Sequence, residues 1–300
     1  MTLTDLIEDG ARRLTAAGVA FGHGTTNAQD EAAWLTLWCL GLPLDTDPQS
    51  HPALPPAQVA RVNALIDQRI ATRQPAAYLT REAWLQGVPF YVDERVIVPR
   101  SLIAEVLAEG SIDIWLGEHT HRVLDLCTGN GSLAVLAALA WPDVRVTGAD
   151  LSPEALAVAA INVDKHHLAD RIALVQSDGL AALPGPFDLV LCNPPYVNAQ
   201  SMAELPPEFR AEPDMALSGN TAGGTDGMDF VRQLLADLPD RLSPHGVLVL
   251  EIGHERAHFE AAFPRLEVVW LDTSAGSDQV LLLTADALLA WTDRRQGAAT

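Results

Sequence analysis

Residues 122–150 read RVLDLC, TGNG, SLAVLAALA, WPD and VRVTGAD, and this stretch decides the fold. Arg122 to Cys127 is an apolar run of strand length, and Thr128 to Gly131 is a turn punctuated by two glycines. Ser132 to Ala140 is built of helix formers, and Val144 to Asp150 is a second β-branched run. The pattern predicts strand, tight turn, helix, strand. A second unit of this kind follows in RIALVQSD (171–178) and FDLVLCN (187–193), then a helix in MDFVRQLLADL (228–238) and a strand in VLVLEIG (247–253). Strands alternating with helices at this spacing mean an α/β fold, a mostly parallel sheet covered by helices on both faces. EVVWLD (267–272) and QVLLLT (279–284) read as a closing hairpin, and the last residues, RRQGAAT, as a frayed tail.

Upstream the pattern is helical. Trp34, Leu37 and Trp38 recur at helical spacing after Asp30, with Gly41 and Pro43 as a stop. Val59, Val62, Ile66 and Ile70 mark another helix, opened by Pro55 and Pro56. The tryptophans are expected in the core rather than in a partner groove. From Trp84 to Val98 alternation and β-branched residues return, with turns at Gly87 and Asp93-Glu94. The boundaries expected are a helical substrate-binding domain at 1–82, a β connector at 83–101 and an α/β domain at 102–300.

The chain has 300 residues, 48% of them apolar and 19% charged, which excludes disorder for most of its length. The 39 acids exceed the 19 bases by 20 charges, and Lys165 is the single lysine, so no basic stripe exists to grip a phosphate backbone. Direct nucleic-acid binding is therefore not expected, whereas a basic partner would be attracted. The start, MTLTDLIEDG, lacks a signal-peptide pattern, and Leu133 to Trp141 is too short an apolar run to span a bilayer. These features predict a soluble cytoplasmic protein. Cys39, Cys127 and Cys192 form no CxxC pair and are expected to be reduced.

Gly129, Gly131 and Ala134 fit the loose dinucleotide fingerprint G-x-G-x-x-A, with Asp150 at the end of the next strand. Asp125 separates the cofactors. A carboxylate at the mouth of the turn would repel a pyrophosphate but attract the ammonium and sulfonium end of S-adenosylmethionine. Asp150 can accept from both ribose hydroxyls, and Asp178 can reach the adenine amino group. The candidate cofactor contacts are Asp125, Cys127, Thr128, Gly129, Asn130, Gly131, Asp150, Leu151, Asp178, Gly179 and Asn193.

Strand 187–192 runs directly into Asn193-Pro194-Pro195-Tyr196. Consecutive prolines remove two N–H donors and hold the local carbonyls outward. Carbonyl and amide acceptors beside an aromatic ring suit a planar NH2 group, as on a carboxamide, adenine or cytosine. Asn193, Pro194 and Tyr196 are the candidate catalytic residues, and all four positions are candidate substrate contacts.

The tetrad, DLCTGNG and the acid of GADLS together resemble the class I methyltransferases of the HemK and PrmC type, which methylate glutamine side-chain amides. PAAYLTREAWLQGVPFYVDERVIVPRS (75–101) is similar to the segment typical of the PrmB-type ribosomal protein glutamine methyltransferases. The resemblance spans almost the whole chain. It implies a Rossmann-like seven-stranded methyltransferase sheet behind an N-terminal helical substrate domain. The implied acceptor is a glutamine of the third protein of the large ribosomal subunit, free or in early assembly. Arg81, where the family usually has glycine, and the loop LSGNTAGGTDG (217–227) depart from the family pattern. The alternatives are release-factor glutamine methylation, an adenine-amino DNA methyltransferase and a non-catalytic ribosome-assembly binder. Oligomeric state is not legible. His254-Glu255-Arg256-Ala257-His258 matches the zinc-protease pattern H-E-x-x-H, but without an evident third ligand it reads as solvated helix, and no metal is expected.

Overall fold

A computed structural model describes residues 1–297. The N-terminal part is built from α1 (Leu3–Ala16), α2 (Ala28–Leu40), α3 (Pro56–Thr72) and α4 (Ala76–Thr80). Local chemistry sets their ends. Thr2 and Asp5 close a capping box at the start of α1, Asn27 caps α2, and Gly41 ends α2 in the left-handed conformation. Leu3, Leu6 and Leu14 of α1, Leu35 of α2, and Val62 and Ile66 of α3 bury their side chains together. Trp34 joins this core, but Trp38 is 39% exposed, so the expectation of core tryptophans fails for it. Trp38 shares the face of Trp34 one turn on, in the last turn of α2 before the Gly41 cap.

Strands β1 (Ala83–Leu85) and β2 (Val88–Phe90) pair antiparallel across Gln86 and Gly87, both at positive φ, and a second turn closes Asp93 to Val96. Helix α5 (Ile103–Glu109) then leads into the alternating part: β3 (Arg122–Leu126), α6 (Ser132–Ala140), β4 (Arg145–Asp150), α7 (Pro153–Lys165), β5 (Ile172–Gln176) and β6 (Phe187–Cys192). After α8 (Ala199–Glu204) and α9 (Asp229–Asp237) come β7 (Leu242–Glu251), α10 (Arg256–Ala262), β8 (Val269–Thr273), β9 (Gly276–Thr284) and α11 (Ala285–Gly297). The expected closing hairpin is present. The expected frayed tail is not, since Arg294 to Gly297 continue α11, and the remaining residues of RRQGAAT lie outside the described residues. Leu288 and Trp291 anchor α11 in the core at helical spacing.

The seven-stranded sheet has the order β5-β4-β3-β6-β7-β9-β8, parallel except for β9, which is antiparallel to both β7 and β8. Alternate strand residues feed opposite layers. Val123, Leu189, Leu191, Val247 and Val249 pack with α5 and α6, whereas Leu124, Leu126, Val190, Leu248 and Leu250 pack with α9 and α11. Strand order reverses between β3 and β6, so the loops at their carboxyl ends open onto the switch-point crevice where α/β sites form. No helix among the described residues is long and apolar enough to cross a membrane.

Candidate active site

The glycine turn leaves β3 at Cys127, which has φ 61, and Gly129 and Gly131 follow at φ 54 and 80. A Cβ on Gly131 would approach Ala159 of α7 to 3.1 Å, and one on Gly129 would meet nothing within 4 Å. One glycine thus permits helix packing, while the other leaves the space over the turn open to a ligand. Asp125 does not stand at the mouth of this turn, contrary to the sequence expectation. It lies beneath it, 1% exposed, where Oδ2 accepts from the Thr128 hydroxyl at 2.5 Å and the Ala134 N–H at 2.9 Å. The turn folds back over the carboxylate, and burial pushes its pKa up to about 7. Its Oδ1 is buried without a partner among the described residues.

Asp150 ends β4 beside the turn, its Oδ2 accepting from the Gly129 N–H and its Oδ1 from the Ser152 N–H, each at 2.9 Å. Burial shifts its pKa upward. Each oxygen keeps a further acceptor site. The apolar side chain of Leu151 next to it is 51% exposed, and Asp178, with Gly179, follows β5 with an exposed carboxylate. The Asn130 carbonyl accepts from Asn162 of α7, which also bonds Tyr91, so the turn is tied to the β1–β2 segment. An open turn, a part-paired carboxylate and an apolar shelf fit an adenosyl-bearing ligand with a ribose diol.

Leu126 of β3 pairs with Cys192 of β6, so Cys127 and Asn193 leave adjacent strands side by side. Neither the Asn193 amide nor the Pro194 carbonyl takes a hydrogen bond among the described residues. Both are free acceptors on the wall of a cavity of about 350 Å³ lined also by Arg100, Tyr196, Phe209 and Glu251. Tyr196 is held from behind by glycines. A Cβ on Gly253 would come within 2.6 Å of its ring, and one on Gly227 would collide with its carbonyl. The departing loop 217–227 therefore supplies a close backbone approach to the tetrad. Asp229 ties that loop through the Ala222 and Gly224 N–H groups.

Several groups in this cavity carry no sequence-level assignment. Glu251, at the carboxyl end of β7, accepts from the Ser101 hydroxyl at 2.6 Å and the Leu102 N–H at 2.9 Å, and the Tyr196 hydroxyl lies 3.4 Å from it. Burial raises the pKa of both Glu251 and Tyr196. The strand-end rule that singles out Asp125, Asp150 and Asn193 would also have found Glu251. Glu212 is a different case. It takes a bidentate pair from Arg100 at 2.6 and 2.7 Å and the Val98 N–H at 2.8 Å, with His23 3.4 Å away. The Phe209 and His23 rings pack at a tilt of 47°, their centroids 4.2 Å apart. Glu208 meets Arg73 at 3.1 Å and Arg69 at 3.7 Å, so the segment after α8 is clamped onto the N-terminal helices by two buried carboxylates.

The H-E-x-x-H stretch does not form a metal helix. Helix α10 begins only at Arg256, Glu255 binds His258 Nδ1 at 2.5 Å and Asn198 at 2.6 Å, and no cluster suited to a metal occurs among the described residues. Arg81 occupies a left-handed cap, φ 57, a conformation that favours glycine, and its guanidinium pairs with Glu94 at 2.8 Å.

Residues 103–214 match the family model described as Methyltransferase small domain. Ribosomal protein uL3 glutamine methyltransferases from Bordetella pertussis and Burkholderia pseudomallei are 55% and 52% identical to this chain, each alignment covering 96% of both proteins. The catalytic domain of hMettl16, solved with the MAT2A 3'UTR hairpin 6, is 16% identical with a TM-score of 0.50 over 76% of this chain and 81% of that one, a likeness of methyltransferase fold. With more than half its residues shared across nearly its full length, the chain belongs to the family of ribosomal protein uL3 glutamine methyltransferases.

Proposed function

We propose that this chain transfers a methyl group from S-adenosylmethionine to the side-chain amide nitrogen of a glutamine in ribosomal protein uL3, the protein named for its relatives. The observation that carries this reading is the pair of unsatisfied acceptors, the Asn193 amide oxygen and the Pro194 carbonyl, on the wall of the Tyr196 cavity beside the glycine turn. S-adenosylmethionine, when bound, supplies an electrophilic methyl group. Asp150 would hold the ribose hydroxyls, Leu151 would cover one face of the adenine, and Asp178 with Gly179 would meet its edge. Cys127, Thr128, Gly129, Asn130 and Gly131 would line the methionine part, with Asp125 positioning the turn from below.

An amide nitrogen is a weak nucleophile because its lone pair is delocalised. Two acceptors binding both N–H groups orient that nitrogen and stabilise positive charge as it develops; the sulfur–methyl bond would break with its electron pair left on sulfur, and the methylated nitrogen would release one of its two protons to solvent. Pro195 keeps the turn rigid, and Tyr196 restricts the amide plane through its ring. Glu251, buried and bonded to Ser101, fixes the hydroxyl end of Tyr196. Residues 1–82 would form the substrate-binding domain, 83–101 the connector and 102–300 the catalytic domain. The net charge of 20 negative units favours a free basic substrate over one already wrapped in RNA. Side-by-side initial rates on free uL3, a release factor and adenine-containing DNA test this assignment. Methylation of uL3 glutamine at the highest specificity constant is expected, and a preference for either other substrate would overturn it.

A further inference from the structure

The N-terminal helices carry an apolar groove that the acceptor site does not use. Trp34, Leu37, Leu44 and Trp84 line a cavity of about 310 Å³ together with Gly24 and Asp30. Trp84 is 40% exposed and Leu44 46% exposed, costly surface for a molecule to leave in water. Glu82 accepts from the Trp84 indole N–H at 2.8 Å and fixes its ring. Trp38, also exposed, stands one helical turn beyond Trp34. The charge beside these rings is acidic: Asp30 in the groove, Glu82 under Trp84, and Asp45 and Asp47 just after Leu44. Of the neighbouring cations, Arg81 is engaged by Glu94 and Asp93, and Arg61 donates to the Cys39 carbonyl at 2.7 Å.

The groove is linked to the acceptor cavity through the His23–Gly24 segment. Gly24 belongs to the groove, His23 precedes it, and the His23 ring packs at a tilt against Phe209, which walls the acceptor cavity. One polypeptide could occupy both.

We propose that this groove docks an arginine-bearing segment of the basic protein substrate, separate in its chain from the target glutamine. The inference rests on the function proposed above. Exposed indole faces with carboxylates at their edges suit guanidinium groups, which stack on the rings while pairing with the acids. Docking of this kind gives specificity for the whole protein that the small acceptor cavity does not supply.

The test compares Trp84→Ala and Trp38→Ala with wild type on two substrates, full-length uL3 and a short peptide around the target glutamine. The two tryptophans lie on different elements, so a folding defect in one variant, seen by circular dichroism, leaves the other informative. The expected result is a KM for the full-length protein raised by at least about tenfold, kcat little changed, and a loss confined to the full-length substrate. Glu82→Gln combined with Asp45→Asn should raise that KM further at low salt and flatten its salt dependence. An unchanged KM for uL3 in both tryptophan variants would overturn the groove assignment. So would a change in sedimentation with KM unchanged, which would make the groove a contact between copies of this chain. If wild type methylates neither substrate, it is the proposed function that fails.

Discussion

Replacing Glu212 by glutamine tests the clamp that roofs the acceptor cavity. Glu212 is 3% exposed, and burial alone would raise its pKa. The Arg100 charge and its two hydrogen bonds, with the His23 ring 3.4 Å away, outweigh that burial and hold the pKa at about 2, against 4.5 for a free glutamate. A depression of this size corresponds to about 3 kcal/mol of native-state stability. Glutamine keeps an acceptor for the Val98 N–H but loses the charge facing Arg100. Because the Arg100 side chain is 27% exposed and can recover some hydration, the expected loss is about 2 kcal/mol. The assay is urea unfolding of wild type and Glu212→Gln at a series of pH values. A carboxylate with a lowered folded-state pKa stabilises fully above its unfolded value, so the wild-type advantage should be complete above about pH 5 and fade as pH falls toward 2. A difference below about 0.5 kcal/mol at neutral pH, or one that persists undiminished at pH 2, would refute the reasoning.

Asp150→Ala should weaken S-adenosylmethionine binding by about 1–3 kcal/mol in calorimetry, since it removes the acceptors proposed for the ribose and frees the Gly129 N–H. On the proposed function, Asn193→Asp should lower turnover by at least about a hundredfold with cofactor affinity changed far less, because the contacts assigned to it are made mainly in the transition state. Glu251→Gln should lower kcat with a smaller effect on cofactor affinity, since glutamine has one acceptor oxygen and cannot serve both the Ser101–Leu102 corner, held by Oε2, and the Tyr196 hydroxyl, which faces Oε1. Steady-state kinetics and calorimetry on each variant separate these effects.

What the sequence carried depended on whether the determining contacts are local. The glycine turn, the Asn-Pro-Pro-Tyr tetrad and the strand–helix alternation are written in neighbouring residues, and the structure brings the ends of β3, β4 and β6 together as expected. Asp125 was misplaced because a strand-end position does not reveal that the next turn folds over it; the hydrogen bonds to Thr128 and Ala134 do. The H-E-x-x-H stretch, read from sequence as solvated helix rather than a metal site, enters its helix only at Arg256, after the first histidine and the glutamate. Helix α11 had a readable signal, Leu288 and Trp291 at helical spacing, hidden by the polar run that follows. The Glu212 clamp had none, because its partners Val98 and Arg100 lie more than a hundred positions away in sequence.

The central claim is that an amide nitrogen, held by Asn193 and the Pro194 carbonyl, receives the methyl group. Fragmentation mass spectrometry of ribosomal protein uL3 from cells with the chain, without it, and with Asn193→Ala in its place tests that claim most directly. The account predicts one methyl group on a glutamine side-chain nitrogen with the wild-type chain and none in the other two strains. Methylation that persists without the chain or with Asn193→Ala, or that falls on another atom of uL3, would contradict it.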